Sequence, residues 1–277
     1  MTLHIPVDKV RTVAVCFSGE PRMYNLCAPS IKNFFNWHGV DIKYFAHTWT
    51  ENSYKIGWDH NEAGHSRIET ETYSKDFILN DIQKFYKFTA LEVEEKFSTS
   101  YIWDHLFYSE AKSNLLKKQY EQKNNMQFDI VVKARFDVAF DPDRDFRTIV
   151  SRTTHRGIHQ RVIYSNHNIY CFEFFQPGLD DCFYFGSSYS MDLLQSNMFH
   201  VNRHYLDKLD QFKEIKLSDN PSRLAIGPGV RQYQLCNQLN LTVNYIDRKF
   251  FIYRKDIIPE DPLANYHYCF RKLKDVY

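Results

Sequence analysis

A short apolar run with charges inside it, between Asp129 and Asp145, constrains the fold more than any other part of the chain. Its first residues, Ile130–Val132, have the β-branched and apolar character of a buried strand. Three charged residues then follow at alternate positions: Lys133, Arg135 and Asp137. Burying a charge costs several kcal/mol unless the charge is paired or bound. The run therefore predicts a buried strand that ends at a site for a charged ligand.

Composition excludes one broad class of function. The chain has 277 residues, of which 35 are Lys or Arg and 34 are Asp or Glu. Binding of a nucleic acid backbone needs a clustered basic excess, so we expect no nucleic acid partner. A hydrophobic content of 43% is enough for a full core. The aromatic content of 17% has two interpretations, an aromatic-rich core or rings that line a groove for sugars or bases.

Segments that would direct the chain to a membrane or out of the cell are not evident. The N-terminus lacks the apolar stretch of a signal peptide, and no segment approaches the ~20 apolar residues of a membrane span. The six cysteines are scattered without a CxxC pair. We therefore expect no transmembrane segment and a reducing, cytoplasmic location, which would be the host cytoplasm for a virus-encoded protein.

The order of apolar segments indicates an α/β fold. Val13–Phe17 predicts a strand, Ser30–Trp37 a helix capped by Ser30, and Val40–Ala46 a second strand. Residues 50–75 are polar and without period, which is typical of a long loop or small insertion. A long helix is predicted over Tyr101–Gln122. Strand, helix, strand is the opening of an α/β domain, and a single domain is the economical interpretation.

Arg135 and Asp137 allow two interpretations. Side chains at i and i+2 of a strand point the same way, so the two charges could simply pair. The alternative is a ligand site at the carboxyl end of the strand. There, Asp137 could hold Mg²⁺ or Mn²⁺, and Arg135 could contact a diphosphate.

Four sequence blocks, in this order, carry a family resemblance. They are Cys16–Arg22 (CFSGEPR), Ala46–Trp49 (AHTW), Asp129–Asp137 (DIVVKARFD) and Asp181–Ser188 (DCFYFGSS). With them the chain resembles nucleotide-sugar-dependent glycosyltransferases of the GT-A type. More narrowly, it resembles a group of bacterial and large-virus glycan-synthesis proteins that share the blocks. The blocks span roughly residues 13 to 190.

The resemblance implies a fold and a division of labour. The fold would be a GT-A-like, Rossmann-like central mixed sheet flanked by helices, in one domain over residues 1–277. About residues 10–145 would bind the nucleotide sugar, and about residues 146–277 would bind the acceptor.

The resemblance also implies a metal, with one departure. GT-A enzymes usually carry a DxD motif at this strand, which binds a cation that bridges the donor diphosphate. Here Arg135 replaces the first acid, and only Asp137 matches the last position. Two alternatives follow: Mn²⁺ or Mg²⁺ held by Asp137, or a guanidinium that itself neutralises the diphosphate.

The first two blocks supply candidate nucleotide-binding residues. Gly19 lets the backbone approach a ligand closely. By resemblance, Ser18 and Gly19 meet the base and ribose and Arg22 reaches a phosphate, although an ordinary turn with a surface Arg fits the same residues. His47 and Trp49 would flank the nucleotide, or would belong to the core or the surface.

Further candidates come from a helix and from the fourth block. Asn114 and Lys118 lie on one face of the predicted helix, which the resemblance sets against the nucleotide; a solvated face is the alternative. An inverting enzyme needs a carboxylate to take the proton from the acceptor hydroxyl. Asp181 is the first choice for that base and Asp180 the second, and a capping or turn role is the alternative for both.

The sequence thus favours a glycosyltransferase that moves a sugar from a nucleotide-diphosphate donor to a hydroxyl of a glycan or glycoprotein acceptor, in surface-polysaccharide or glycoprotein glycan synthesis. A nucleotide-sugar or glycan-binding protein without turnover is a second hypothesis, which the Arg at position 135 favours. A nucleotidyltransferase is a third, but such enzymes usually offer a Gly-rich phosphate loop, and the sequence has none.

Overall fold

A computed structural model describes residues 5–56, 67–99, 103–140, 142–152, 163–164, 168–172, 179, 181–206, 228–246 and 250–252. In these residues the helices are α1 (Tyr24–Phe34), α2 (Lys75–Phe85), α3 (Asp104–Asn124), α4 (Phe146–Arg152), α5 (Ser188–Leu206) and α6 (Pro228–Gln238). The strands are β1 (Ile5–Pro6), β2 (Thr12–Gly19), β3 (Asp41–Trp49), β4 (Glu51–Ile56), β5 (Arg67–Thr72), β6 (Phe88–Glu94), β7 (Ile130–Ala134), β8 (Val138–Phe140), β9 (Ile163–Tyr164), β10 (Asn168–Phe172), β11 (Phe183–Gly186), β12 (Thr242–Ile246) and β13 (Phe250–Ile252).

Seven of these strands form a central mixed sheet in the order β12-β10-β11-β7-β2-β3-β6. All neighbours are parallel except at β11, which runs antiparallel to both β10 and β7. The strands β2 and β7 are buried along almost their whole length, as strands covered on both faces are. The predicted α/β class with a mixed central sheet in a single domain is confirmed.

Helices cover both faces of the sheet, and alternate residues of β2 divide between the two cores. Val13, Val15 and Phe17 face a core that α1, α2 and α4 complete. Ala14 and Cys16 face a second core, to which α3, α5 and α6 contribute. The aromatic residues concentrate in the first core, where Phe17 lies 5.2 Å from Phe136 between ring centroids. None of the helices in the described ranges is both long and apolar enough to cross a bilayer.

The first helix begins earlier than predicted. It starts at Tyr24, and Ser30 lies inside it rather than at its N-cap. The Ser30 hydroxyl instead docks on β8, where it donates to the carbonyl of Phe140 at 3.0 Å and accepts from the amide of Phe140 at 2.7 Å. A tertiary partner for the serine therefore overrides its local capping preference.

The polar segment after β3 is also more ordered than predicted. Of the two alternatives for residues 50–75, the described part fits a small insertion better than a long loop, because β4 and β5 pair as an antiparallel ribbon from Glu51–Thr72 to Ile56–Arg67, and α2 begins at Lys75. The sequence of the ribbon is polar at most positions, so it lacks the apolar alternation that identifies a strand.

Candidate functional site

The strands β2 and β7 meet in parallel at the centre of the sheet, and the chain order reverses between them. From β2 the chain continues outward through β3 and β6, and then crosses back to β7 on the other side. The order β6-β3-β2-β7 is that of a Rossmann-type half sheet, in which ligands bind outside the carboxyl ends of the strands at the point of reversal. We call this place the switch crevice, and define it by residues 18–22, 135–137 and 181–182.

Three chain segments border the switch crevice because of the strand pairing. Residues 18–22 comprise the end of β2 and the loop after it, and residues 135–137 follow β7 directly. Asp181 and Cys182 form a turn before β11, whose Phe183 pairs with Ala134 at the end of β7. The sheet therefore brings together the first, third and fourth sequence blocks.

Arg135 and Asp137 form a two-point ion pair. They lie in the turn between β7 and β8 rather than on one continuous strand. Nε of Arg135 donates to Oδ1 of Asp137 at 2.9 Å, and Nη2 donates to Oδ2 at 2.5 Å. Asp137 is only 3% exposed. Burial acts to raise the pKa of Asp137, but the positive charges of Arg135 and Arg22 outweigh it and hold the pKa below its ordinary value.

Arg22 is the second guanidinium beside this carboxylate. Its Nε lies 3.7 Å from Oδ2 of Asp137 and 3.5 Å from Glu20, and its side chain is 31% exposed. Nη1 donates to the carbonyl of Ser53 at 3.5 Å, which leaves the Nη2 group without an acceptor among the described residues. Arg22 is therefore held in place but keeps donors for a further anion.

Glu20 fixes the loop that carries Arg22. Its carboxylate accepts from the amide of Ser53 at 2.9 Å and pairs with Lys96 at 2.5 Å. Asn52 adds a hydrogen bond to the carbonyl of Pro21 at 3.4 Å. Residues of β4 thus hold the loop after β2 in place.

The residues around Asp137 do not fit a divalent cation. Both carboxylate oxygens of Asp137 accept hydrogen bonds from Arg135. Two guanidinium groups adjoin the carboxylate, and Mg²⁺ or Mn²⁺ needs several oxygen ligands without cations in contact with them. In the described ranges, His, Cys, Asp and Glu nowhere form a group of three that could hold a metal.

The end of β2 forms an open floor. Gly19 has a φ of +102°, and a Cβ there would meet no atom within 4 Å, so both its conformation and the free space suit close approach by a ligand. Its amide donates to the hydroxyl of Ser109 at 2.7 Å, and its carbonyl accepts from Thr48 at 2.8 Å. The hydroxyl of Ser18 is buried and has no hydrogen-bond partner among the residues described.

His47 and Trp49 lie behind this floor and are both buried. Nδ1 of His47 lies 2.9 Å from the hydroxyl of Ser109, and its ring meets the Trp49 ring edge-on at 4.7 Å between centroids. Trp49 also stacks on Tyr108 of α3 at 5.6 Å. Both side chains therefore pack between the sheet and α3, and they can support the floor without touching a ligand.

Asn114 and Lys118 lie elsewhere on the molecule. Asn114 is buried and donates to Oδ1 of Asp192 at 2.9 Å, and Nζ of Lys118 lies 3.9 Å from Oδ2 of the same residue. Lys118 borders a shallow pocket with residues from the C-terminal end of α3. Both residues thus contact α5, and none of their contacts among the described residues involves the switch crevice.

Asp181 borders the switch crevice, with its side chain 26% exposed. Its Oδ2 lies 3.7 Å from Nη1 of Arg135, and the same Nη1 donates to Sγ of Cys182 at 3.5 Å. A carboxylate that is partly exposed, as Asp181 is, can accept a proton from a neighbouring hydroxyl. Asp180, the second choice for a base, lies outside the described residues.

Sequence reasoning missed the residues that support the crevice from behind, above all Ser109 and Glu110 on α3. Ser109 joins Gly19 to His47, and Glu110 is fully buried against Lys133. The only signal in the sequence was Lys133 itself, whose charge in an apolar strand required a partner that spacing alone does not identify.

Burial of His47 generates a prediction about pH. Desolvation lowers the pKa of His47 from 6.5 to about 4, although Glu94 acts in the opposite direction. Between these values the unfolded chain binds a proton that the folded chain does not, so stability falls as pH decreases. Through this group, the free energy of unfolding of the wild type should fall by about 2–3 kcal/mol between about pH 7 and about pH 4.5. The His47→Asn variant should not show this part of the decrease. Urea unfolding of both proteins across this range measures it, and parallel pH profiles would contradict it.

Comparison with known proteins adds no family to this geometry, since neither a protein-family model nor a curated protein matches the chain.

Proposed function

We propose that the chain is a glycosyltransferase that binds a nucleotide-diphosphate sugar in the switch crevice and transfers the sugar to a hydroxyl of a glycan or glycoprotein. The observation that carries the proposal is the position of the charged residues. Arg22, Arg135 and Asp181 all border the carboxyl ends of β2 and β7, where Rossmann-type sheets bind nucleotides. The GT-A resemblance of the sequence blocks supports the same assignment.

The donor diphosphate would bind without a divalent cation. Two guanidinium groups flank one carboxylate at the crevice, so the diphosphate would meet two fixed positive charges. Planar guanidinium groups bind phosphate oxygens with two parallel hydrogen bonds. Arg22 offers its free Nη2 donors, and Arg135 offers the N–H groups that Asp137 and Cys182 leave unused. In this arrangement Asp137 orients Arg135 and does not bind a metal.

The remaining nucleotide contacts would come from the end of β2. The open space over Gly19 would admit a ribose or base edge against the backbone. His47 and Trp49 would act through the floor that they support.

Asp181 would serve as the base of a single displacement. The oxygen of the acceptor hydroxyl forms a bond to the anomeric carbon, and the bond from that carbon to the diphosphate breaks. The hydroxyl proton goes to Asp181, and the charge that develops on the diphosphate is stabilised by Arg22 and Arg135. Orientation of the two substrates in the crevice supplies much of the remaining rate.

One observation favours a second function, a nucleotide-sugar-binding protein without turnover. Asp137 is closed off by Arg135 on both oxygens, so the metal-binding acid usual in GT-A enzymes is not free. Release of nucleotide from a bound donor distinguishes the two, because a binding protein leaves the donor intact.

Arg22→Met tests the diphosphate site. The substitution leaves Asp137 paired with Arg135, so the fold should persist, but it removes a charged phosphate contact worth ~1.5–3 kcal/mol. We expect the nucleotide-diphosphate sugar that stabilises the wild type most in a thermal-shift panel to bind about 10- to 100-fold more weakly by calorimetry. Arg11→Met is the matched control, since Arg11 is exposed at the opposite end of β2 and its loss should leave affinity unchanged.

The same titrations in EDTA and in Mn²⁺ test the role of the cation. We expect equal affinity in both, because the charges at Asp137 do not suit a metal. Binding that disappears in EDTA would return Asp137 to the role of metal ligand. A chain that binds no member of the panel would contradict the proposed function altogether.

Asp181→Asn tests the base. With water as the acceptor, we expect donor hydrolysis to slow by about 10²–10⁴-fold, while the donor binds no more weakly, because the lost carboxylate lies 3.7 Å from Nη1 of Arg135 and its removal leaves that guanidinium freer for the phosphate. Nucleotide release measures the rate. Asp143→Asn, an exposed change after β8, is the control. Near-normal turnover of Asp181→Asn would rule out this carboxylate as the base.

A further inference from the structure

A fully buried ion pair joins β7 to α3 directly beneath the switch crevice. Nζ of Lys133 lies 3.0 Å from Oε1 of Glu110, and both side chains are 0% exposed. Removing two charges from water is so costly that an apolar pair of similar volume often gives equal or greater stability. Stability alone therefore need not account for this pair, whose further contacts lead to the turn of Asp181.

Glu110 is satisfied by a shell of neutral donors. The hydroxyl of Tyr184 donates to it at 3.1 Å, and the amide of Gln232 donates to its two oxygens at 3.2 and 3.0 Å. These donors come from β11 and α6. Four elements thus converge on one carboxylate, and this carboxylate in turn fixes the position of the Lys133 ammonium.

The Lys133 ammonium also donates to the backbone carbonyl of Asp181. On the other side of the same turn, the amide of Arg135 donates to the carbonyl of Cys182 at 3.1 Å. Lys133 of β7 and Arg135 directly after it therefore hold the carbonyls of two successive residues of the turn, Asp181 and Cys182. These contacts fix the backbone from which the Asp181 side chain extends.

The charges of this cluster also reach Asp181. Burial raises the pKa of Glu110, attraction to Lys133 opposes that rise, and the negative charge of Asp181 adds to it. Glu110 and Asp181 therefore interact electrostatically across Lys133, although only Asp181 is accessible from the crevice.

We propose that Lys133 and Glu110 are positioning residues, which hold Asp181 in the geometry required of the base in sugar transfer. The inference rests on the proposed function, and neither residue touches the substrate in it. A shift of about 1 Å in a reacting group can cost ~10²-fold in rate, so a charged anchor at the peptide of Asp181 has a use that an apolar pair would lack.

The double variant Lys133→Met/Glu110→Gln tests this role, because it removes both charges together and leaves no charge buried alone. We expect donor hydrolysis to fall by about 10- to 100-fold, while the calorimetric dissociation constant of the donor stays within about twofold. The matched control is Lys117→Met/Glu121→Gln. It removes a buried pair of the same kind on α3, at 2.9 Å, which contacts Ser188 and Asp192 instead, and its turnover should stay near that of the wild type.

Repeating the double variant in an Asp181→Asn background separates positioning from general support of the fold. If Lys133 and Glu110 act through Asp181, the two changes together should be no slower than Asp181→Asn alone, because residues that act as one unit are not additive. Full additivity would contradict the inference. Lys133→Arg keeps the buried charge but displaces the contact to the carbonyl, and it serves the same comparison if the double variant does not fold.

The outcomes also separate this inference from the proposed function. A wild-type chain that binds no donor and releases no nucleotide contradicts both. A wild type that depends on Asp181, combined with normal turnover of Lys133→Met/Glu110→Gln, contradicts the positioning role alone.

Discussion

The parallel hydrogen bonding of β2 to β7 is the interaction on which the rest of the site depends. It aligns Val13–Phe17 with Ile130–Ala134, more than a hundred positions apart in the chain. The segments that border the crevice lie at the carboxyl ends of this pair or directly before β11, which pairs with β7. The buried, β-branched character of both strands stabilises the pairing through the two cores, so the cores determine where the charged residues meet.

At the crevice, charge is balanced by pairing rather than by exposure to water. Asp137 lies against two guanidinium groups, and Lys133 lies against Glu110 on the α3 side. One layer is thus partly exposed and has donors left over for an anion, and the layer beneath it is a fully buried pair of opposite charges. This division matches what a transferase needs: an outer layer that binds and stabilises a leaving diphosphate, over an inner layer that keeps its geometry.

The central strands were predictable from the sequence, because they depend on local signals. The apolar run before Gly19 and the charged residues after Val132 each indicate that a strand is about to end. The pairing of Arg135 with Asp137 was one of two alternatives that the sequence offered, although the two residues meet in a turn rather than on the shared face of a strand.

Tertiary partners were not predictable. Glu110 and Ser109 sit on a helix whose spacing gives no indication of what lies opposite, and Asn114 and Lys118 share a helical face with each other but not with the crevice. The β4–β5 ribbon escaped prediction because its residues alternate in no apolar pattern. Ser30 was predicted to be an N-cap because nothing in the local sequence indicates its contact with Phe140 of β8, which is 110 residues away.

A crystal structure of the chain with its most stabilising nucleotide-diphosphate sugar, grown in EDTA, tests the central claim most directly. The proposed function predicts that the diphosphate lies at the carboxyl ends of β2 and β7, with phosphate oxygens about 3 Å from Arg22 and Arg135. A nucleotide bound elsewhere, such as beside Lys118, would contradict it, as would a diphosphate in the crevice that contacts neither guanidinium.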